Sequence, residues 1–487
     1  MDVKYSGDAP AVDRREIADL PGPRGWPFVG SLFELDKPRM HQMIEAWVRR
    51  YGALFKFRIG ATVLVVVADH AAIGAALRDR PGGFRRQPQV ERISREMGLP
   101  PGLFGAEGSD WQRQRRIVMA GFDPRHIKAY FTSLVKVTRR LEERWRKAAR
   151  SGAAIDLQAD LKRFTVDAIA GLAFGADINT LESDADVIQR HLDKIFPALN
   201  QRLLTPFPIW RYWKRRIDRE LEQSVAAVNQ AVEGFIDAAR ARLAAEPARR
   251  ERPADLLEAM IAAADAEHGA PLTDRQVAGN VMTMLLAGED TTANTLAWMI
   301  HLLQLNRPAL ERAADEVRRI AGDSNAWTVE DFGRLEYVEA CANETMRLKP
   351  VAPVIVLQAL RDTTVADVRV PAGTLIWGSM RSDPLDERFF RNPNAFDPAR
   401  WLHGEAVASS TARVSMPFGA GPRVCPGRHL AMLEMKMALA MLLANFQIES
   451  VDTPDGGEAA EELAFTMGPV GLRLRVRERA RAANQLR

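Results

Sequence analysis

The chain has 487 residues, 47% hydrophobic and 27% charged, an ordinary globular composition with length enough for a large core. Lysine and arginine number 67 against 63 aspartate and glutamate, and a net charge of +4 is too even to imply a nucleic-acid partner. Two cysteines of unlike context, Cys341 and Cys425, make no disulfide framework, and the histidines make no zinc pattern, so a reducing, cytoplasmic compartment is expected.

Residues 1–20 read as a polar leading arm, with neither the apolar stretch of a signal peptide nor the run of about 20 apolar residues that a membrane anchor needs. Pro21-Gly22-Pro23 and Trp26-Pro27 end that arm with a stiff segment, and 21–487 reads as a single domain. The β-branched run within Tyr51 to Ala68 predicts a small sheet. Helical periodicity dominates from about Pro124 to Ile320. Inside that stretch Thr273-Asp274-Arg275-Gln276 is a capping box, and no proline follows until Pro308. The helix so defined has about 32 residues and a length of about 48 Å. Pro350 to Trp377 returns to strand character, with Val368 to Thr374 as a turn between strands. Residues 381–424 are irregular, a helix runs from about Arg428 to Asn445, and Ala464 to Val476 predicts a hairpin around Gly468-Pro469. The fold class is mainly α with small β-sheets.

Three segments carry chemistry. In Phe418-Gly419-Ala420-Gly421-Pro422-Arg423-Val424-Cys425-Pro426-Gly427, glycines free the backbone and prolines fix φ, which makes a stiff loop holding one sulfur. Backbone N–H groups can point at that sulfur and stabilise a thiolate, suited to be a metal ligand or a nucleophile. In Ala287-Gly288-Glu289-Asp290-Thr291-Thr292, glycine weakens the long helix and Thr291 can bond back to the Ala287 carbonyl, opening a groove for a small ligand. Apolar turns on both sides oppose a merely solvent-facing stripe, and the polar residues make a membrane-spanning helix expensive. Glu344 and Arg347 stand at i, i+3, a spacing that allows an ion pair.

The cysteine loop resembles the haem-binding signature of the cytochrome P-450 family, F-x-x-G-x-R-x-C-x-G, at every fixed position. The resemblance implies haem b, lying between the long central helix and the Cys-loop helix. Cys425 would be the axial iron ligand, with Phe418, Gly419, Gly427 and Ala287 beside the cofactor. A thiolate ligand favours O–O cleavage. Ala287 to Thr292 matches the family's oxygen-activation motif, so Thr291 would hydrogen-bond dioxygen at the iron and Asp290 would relay protons. Glu344 and Arg347 resemble the family's E-x-x-R pair. Arg400, in Phe396-Asp397-Pro398-Ala399-Arg400-Trp401, would complete a structural triad, although Ala399 stands where Glu is common. Trp111-Gln112-Arg113-Gln114-Arg115 resembles W-x-x-x-R, so Trp111, Arg115 and Arg423 would bind the haem propionates. The family's usual arginine after the E-x-x-R helix is missing; Leu357 or Gln358 stands there, with Arg361 the remaining candidate.

The implied activity is a monooxygenase inserting one atom of O2 into a hydrophobic substrate. Met284, Ala287, Val354, Ile355 and Met467, with Ala352, Phe465 and Thr466, are expected to line its cavity, together with the stretch before Trp111 and a mobile entrance formed by Phe196 to Trp210. Val166-Asp167-Ala168-Ile169 and Leu172-Ala173-Phe174-Gly175 look like the fatty-acid-hydroxylating branch, which leans towards fatty acids, terpenoids or other lipids. The chain shows neither a flavin or dinucleotide fingerprint nor cysteines for an iron–sulfur cluster. NAD(P)H would therefore act indirectly, through a ferredoxin or flavodoxin with its reductase, docking on Arg113, Arg116, Arg428 and Lys436. A monomeric, bacterial-type enzyme without a transmembrane anchor is expected. The rival, a haem-thiolate sensor or electron carrier, would share the Cys425 loop but would not need Asp290 and Thr291.

Overall fold

The capping box starts the long helix where the spacing predicts. Thr273 Oγ1 accepts from the Gln276 N–H at 3.3 Å, and Gln276 Oε1 accepts from the Thr273 N–H at 3.1 Å. In this computed structural model, which describes residues 14–122, 124–183, 187–205, 207–266, 272–323, 326–402 and 411–479, helices dominate. The first 13 residues of the expected leading arm lie outside the described residues. The helices are α1 (Met40–Tyr51), α2 (His70–Arg78), α3 (Pro88–Glu96), α4 (Gly108–Gly121), α5 (Pro124–Ser151), α6 (Leu157–Phe174), α7 (Val187–Leu203), α8 (Arg216–Ala245), α9 (Leu256–Ala266), α10 (Asp274–Leu305), α11 (Arg307–Ala321), α12 (Val329–Gly333), α13 (Glu336–Leu348) and, after a single turn at Thr411–Val414, α14 (Arg428–Asn445). The central helix α10 has 32 residues and packs along α6, which is buried on nearly every face, so the two form the spine of the main core.

The strands are β1 (Arg15–Glu16), β2 (Leu54–Ile59), β3 (Thr62–Val67), β4 (Phe84–Arg86), β5 (Ile155–Asp156), β6 (Val354–Ala359), β7 (Thr363–Val365), β8 (Val368–Val370), β9 (Leu375–Ser379), β10 (Phe446–Asp452), β11 (Glu461–Leu463), β12 (Met467–Pro469) and β13 (Arg473–Glu478). The main sheet has the order β2-β3-β9-β6-β4. Its β3–β9 pair is parallel and the other pairs are antiparallel. The Val65-Val66-Val67 run is fully buried, as expected of a strand covered on both faces.

Two expected turns are displaced. Val368 to Val370 is strand β8, paired with β7 and β1, so the turn begins only at Pro371. The C-terminal hairpin turns at Ala464–Thr466, not at Gly468-Pro469; Leu463 faces Met467, and β13 joins β10 and β5 instead. Gly468 serves a different purpose. A Cβ there would meet Asn294 Oδ1 of α10 at 2.5 Å, so the residue permits close docking of the strand on the helix.

That hairpin is fastened by a buried acid. Glu461 Oε2 lies 2.8 Å from His41 Nε2 and 3.0 Å from Gln42 Nε2, while Oε1 accepts from Lys349 Nζ at 2.6 Å and from Arg381 Nη1 at 2.9 Å. Burial pushes the Glu461 carboxyl up, but His41, Arg381 and Lys349 together hold it far below the usual carboxylate range. The stabilisation is therefore complete above pH 4.5, the ordinary value, and is lost as pH falls towards the folded value. Glu461→Gln leaves buried cations unpaired and should cost about 3–5 kcal/mol near pH 7, with the gap to the parent narrowing in acid. Urea denaturation at two pH values checks this; a pH-independent gap contradicts it.

Candidate active site

The irregular segment before the cysteine is held by one carboxylate. Glu344 and Arg347 form a two-pronged pair at 2.8 Å, both fully buried. Glu344 also accepts from Arg400 Nε at 2.9 Å, Trp401 Nε1 at 2.8 Å and the Asp397 N–H at 3.0 Å. Arg347 spends its remaining N–H groups on the carbonyls of Pro384, Pro393 and Ala395. Trp401 was not singled out by sequence reasoning, although its N–H is the natural donor one residue beyond Arg400.

Downstream, the Cys425 N–H donates to the Phe418 carbonyl at 2.9 Å and closes the loop. Gly421 has φ +71° and sits against α2, where a Cβ would lie 2.6 Å from the Leu77 carbonyl, so no other residue fits. Gly419 is also left-handed, but Gly427 has φ −82°, an ordinary conformation, which corrects the expectation for that glycine. Burial pushes the Cys425 thiol up, opposed by the Gly427 N–H and by the charges of Arg115 and Arg428. In the protein alone, then, burial outweighs the backbone N–H groups expected to favour a thiolate. Cys341 is fully buried on α13, and burial pushes its thiol up as well.

Cys425 opens onto a cavity of about 990 Å3. Phe418, Gly419, Gly427, Trp111, Arg115 and Arg423 line it, as do Met284, Ala287 and Thr291 of α10 and Val354 and Ile355 of β6. Of Phe465, Thr466 and Met467, all expected on the wall, Phe465 lines it, whereas Met467 is fully buried in β12 and does not reach it. The stretch before α4 does line the wall, through Leu103 and Phe104. It lies directly on α10, where a Cβ on Gly102 would meet the Gly279 carbonyl at 2.1 Å.

Thr291 Oγ1 donates to the Ala287 carbonyl at 2.7 Å, the back-bond expected from the spacing. Its neighbour Asp290 turns away from the cavity wall. Asp290 pairs with Lys162 Nζ of α6 at 2.9 Å and accepts from the Thr466 hydroxyl, and Lys162 is also 2.9 Å from Asp193 of α7, a partly exposed carboxylate. Adjacent Glu289 is buried, which pushes its carboxyl well up, and it accepts from Gln189. On the other side Glu434 of α14 lines the cavity; burial pushes its carboxyl up to about 8, against a hydrogen bond from Thr292.

The cations around the cavity test whether an acidic cofactor fits. Arg423 donates to Glu107 and the Ala106 carbonyl, each at 2.6 Å, and lies 4.6 Å over the Trp111 ring. Arg115 donates to the Val424 carbonyl at 2.8 Å. Two further arginines, missed in the sequence, complete the group. Arg86 of β4 covers the Phe104 ring at 3.7 Å, and Arg80 is buried with Nε and Nη2 lacking hydrogen-bond partners. Burial, with Arg80 and Arg423 close by, pushes Arg86 down to about 9; burial and Arg80 push Arg423 down to about 10. Glu107 is the carboxylate among these four guanidinium groups, so the cluster has an excess of buried positive charge that two propionates would neutralise. The residues present fit haem. Arg361 does not belong to this group, because it pairs with Asp79 at the surface, and Leu357 and Gln358 are not in the cavity wall. Lys436, expected at a docking face, is buried against Glu339 and the Phe332 carbonyl, whereas Arg428 and Arg116 are exposed.

The family model described as Cytochrome P450 matches residues 20–476. The cytochrome P450 monooxygenase yanC of Aspergillus niger is 30% identical over 90% of this chain and 83% of its own length. A self-sufficient cytochrome P450 monooxygenase of Oidiodendron maius is 27% identical over 95% of this chain, which spans 42% of that relative. The crystal structure of cytochrome P450DA heme domain superposes with a TM-score of 0.82 at 25% identity, covering 96% of this chain and 99% of that one. The chain belongs to the cytochrome P450 family, has its fold, and is a haem-thiolate monooxygenase that inserts an oxygen atom into an organic substrate. Both relatives are fungal, so they bear on the family and not on the bacterial lineage expected from the sequence.

Arg86→Met removes one cation from a crowded cluster. The haem-free protein should then melt higher, because like-charge repulsion falls, while haem passes from the loaded variant to apomyoglobin roughly tenfold faster through loss of a charge-assisted bond. A lower melting point together with unchanged haem transfer contradicts the assignment.

Proposed function

We propose that this enzyme oxidises a hydrophobic lipid-like substrate, such as a fatty acid or terpenoid, by hydroxylation or epoxidation, with electrons from separate redox proteins. The observation that carries the reading is the cavity shared by Cys425 and Thr291, whose remaining wall is largely apolar at Met284, Leu103, Phe465, Val354 and Ile355. Such a wall selects by shape and by burial of apolar surface.

Cys425 would hold haem b through its sulfur, and the group so held would supply dioxygen activation, with a thiolate ligand favouring O–O cleavage. Arg80, Arg86, Arg115, Arg423 and the Trp111 N–H would hold its propionates. Glu344, Arg347 and Arg400 fix the segment that carries the sulfur. Thr291 Oγ1 holds a proton at the cavity wall, bonded to the Ala287 carbonyl until a rotation re-aims it. Asp290 moves protons behind that wall: its carboxylate joins the Thr466 hydroxyl to Lys162 Nζ, and Asp193 carries the chain of charges to the surface. Leu103, Phe104 and Phe465 exclude water from the reacting centre.

Electrons would come from NAD(P)H through a ferredoxin or flavodoxin and its reductase, docking near exposed Arg116 and Arg428; the second of these begins α14, three residues past the sulfur. The two free cysteines support a reducing, cytoplasmic compartment. A bacterial source belongs to the same reading, and the Ala- and Arg-rich composition fits a GC-rich genome.

Thr291→Ala should lower product formed per NAD(P)H by roughly tenfold or more and raise hydrogen peroxide correspondingly, since a positioned proton donor is lost. Substrates for that assay come from titrating lipophilic compounds and reading the shift in haem spin state. Coupling equal to the parent with the best such compound contradicts the role of Thr291, and a spin response confined to small polar compounds contradicts the substrate class.

A further inference from the structure

Asn280 of α10 belongs to the cavity wall and is only 1% exposed. Its Oδ1 accepts from the Leu103 N–H at 2.8 Å, which fixes the way the amide is turned. The stretch that carries this N–H is pressed onto α10, where a Cβ on Gly279 would meet the Pro101 carbonyl at 2.1 Å. The amide nitrogen, Nδ2, is buried and finds no hydrogen-bond partner among the described residues. An acceptor alone would serve the Leu103 N–H, so the donor is surplus to the packing of that stretch. A buried donor without a partner is costly, and the acceptor that relieves it can be brought by a ligand.

Thr283 stands three residues further on and also lines the cavity. Its Oγ1 spends its proton on the Gly279 carbonyl at 2.7 Å, so towards a ligand the oxygen can only accept. Helix residues three apart lie about 5–6 Å from each other at Cβ, close enough for one small group to touch both. A donor beside an acceptor suits a hydroxyl, which accepts from Asn280 Nδ2 and donates to Thr283 Oγ1. A carboxylate has no proton for Thr283, and a hydrocarbon leaves both atoms unpaired. Arg86, the cation packed over neighbouring Phe104, belongs to the propionate cluster.

Helix geometry sets how far this pair lies from the reacting centre. Asn280, Met284, Ala287 and Thr291 form one stripe along α10, and all four are in the cavity wall. From Asn280 to Thr291 the helix rises about 16 Å, the reach of roughly a dozen bonds in an extended chain. We propose that Asn280 and Thr283 form a hydroxyl-recognition site, so that the substrate is an apolar alcohol oxidised at a carbon remote from its own hydroxyl. The proposal rests on the lipid-like reading of the cavity and narrows it from acids to alcohols. The bound hydroxyl is held and not consumed, so hydroxylation yields a diol and epoxidation an epoxy alcohol.

The haem-loaded full chain is titrated with dodecane, dodecan-1-ol and dodecanoic acid, and with farnesene and farnesol. The shift in haem spin state gives each dissociation constant. Each alcohol should bind at least roughly tenfold more tightly than the hydrocarbon of its skeleton, and dodecan-1-ol more tightly than the acid. Asn280→Leu should abolish the advantage of the alcohols, and Thr283→Val should reduce it. The ratio of alcohol to hydrocarbon is the readout, because a disturbed wall weakens both alike. Mass spectrometry of the dodecan-1-ol product should find the new oxygen in the half of the chain remote from the hydroxyl. Alcohols that bind no more tightly than hydrocarbons, or an advantage that survives in both variants, overturns the proposal and leaves the lipid-like reading standing. Tighter binding of the acid assigns the site to a carboxylate and overturns it as well. No response to any of the five compounds overturns the site and the lipid-like reading together.

Discussion

The sulfur of Cys425 can act at a fixed point only if the irregular chain before it cannot move, and the Glu344 carboxylate is what prevents movement. The stretch from Asp383 to Trp401 has little regular structure to hold its own backbone. Glu344 and Arg347 supply the missing anchors from the rigid helix α13, collecting three carbonyls, a backbone N–H, an arginine and an indole. A fully buried ion pair is costly unless nearly every donor and acceptor is used, and here the neighbours use them. Order in the loop is thus derived from a helix some eighty residues earlier in the chain.

A second constraint opposes the first. Charge that is satisfied at Glu344 is left unsatisfied at the cavity, where Arg80, Arg86 and Arg423 crowd around Glu107 with Arg115 near Arg423. Burial and mutual repulsion lower the basicity of Arg86 and Arg423, and Arg80 retains unbonded N–H groups. Stability spent there has a use when a dianionic cofactor arrives. A dianionic cofactor bound there would be coupled to the fold through charge as well as through the sulfur.

Much of this was legible in the sequence where the signal is local. The capping box at Thr273, the back-bond of Thr291, the β-branched strand at Val63 to Val67 and the start of α14 at Arg428 each follow from residues a turn or two apart. What was not legible is set by distant partners. Gly468 resembles a turn residue until Asn294 of α10 is placed beside it, and with the turn moved Met467 leaves the wall while Phe465 stays in it. Lys436 reads as a surface cation until Glu339 and the Phe332 carbonyl enclose it. Arg80 and Arg86 carry no motif; they matter because the segment after α2 and strand β4 bring them to Glu107.

The most direct test of the account is the reduced carbon monoxide difference spectrum of the purified, haem-loaded protein beside its Cys425→His variant. The account predicts the absorption of thiolate-ligated haem in the parent, and in the variant retained haem with the spectrum of nitrogen ligation. A parent spectrum of nitrogen-ligated haem, or a thiolate spectrum that survives in the variant, would contradict it.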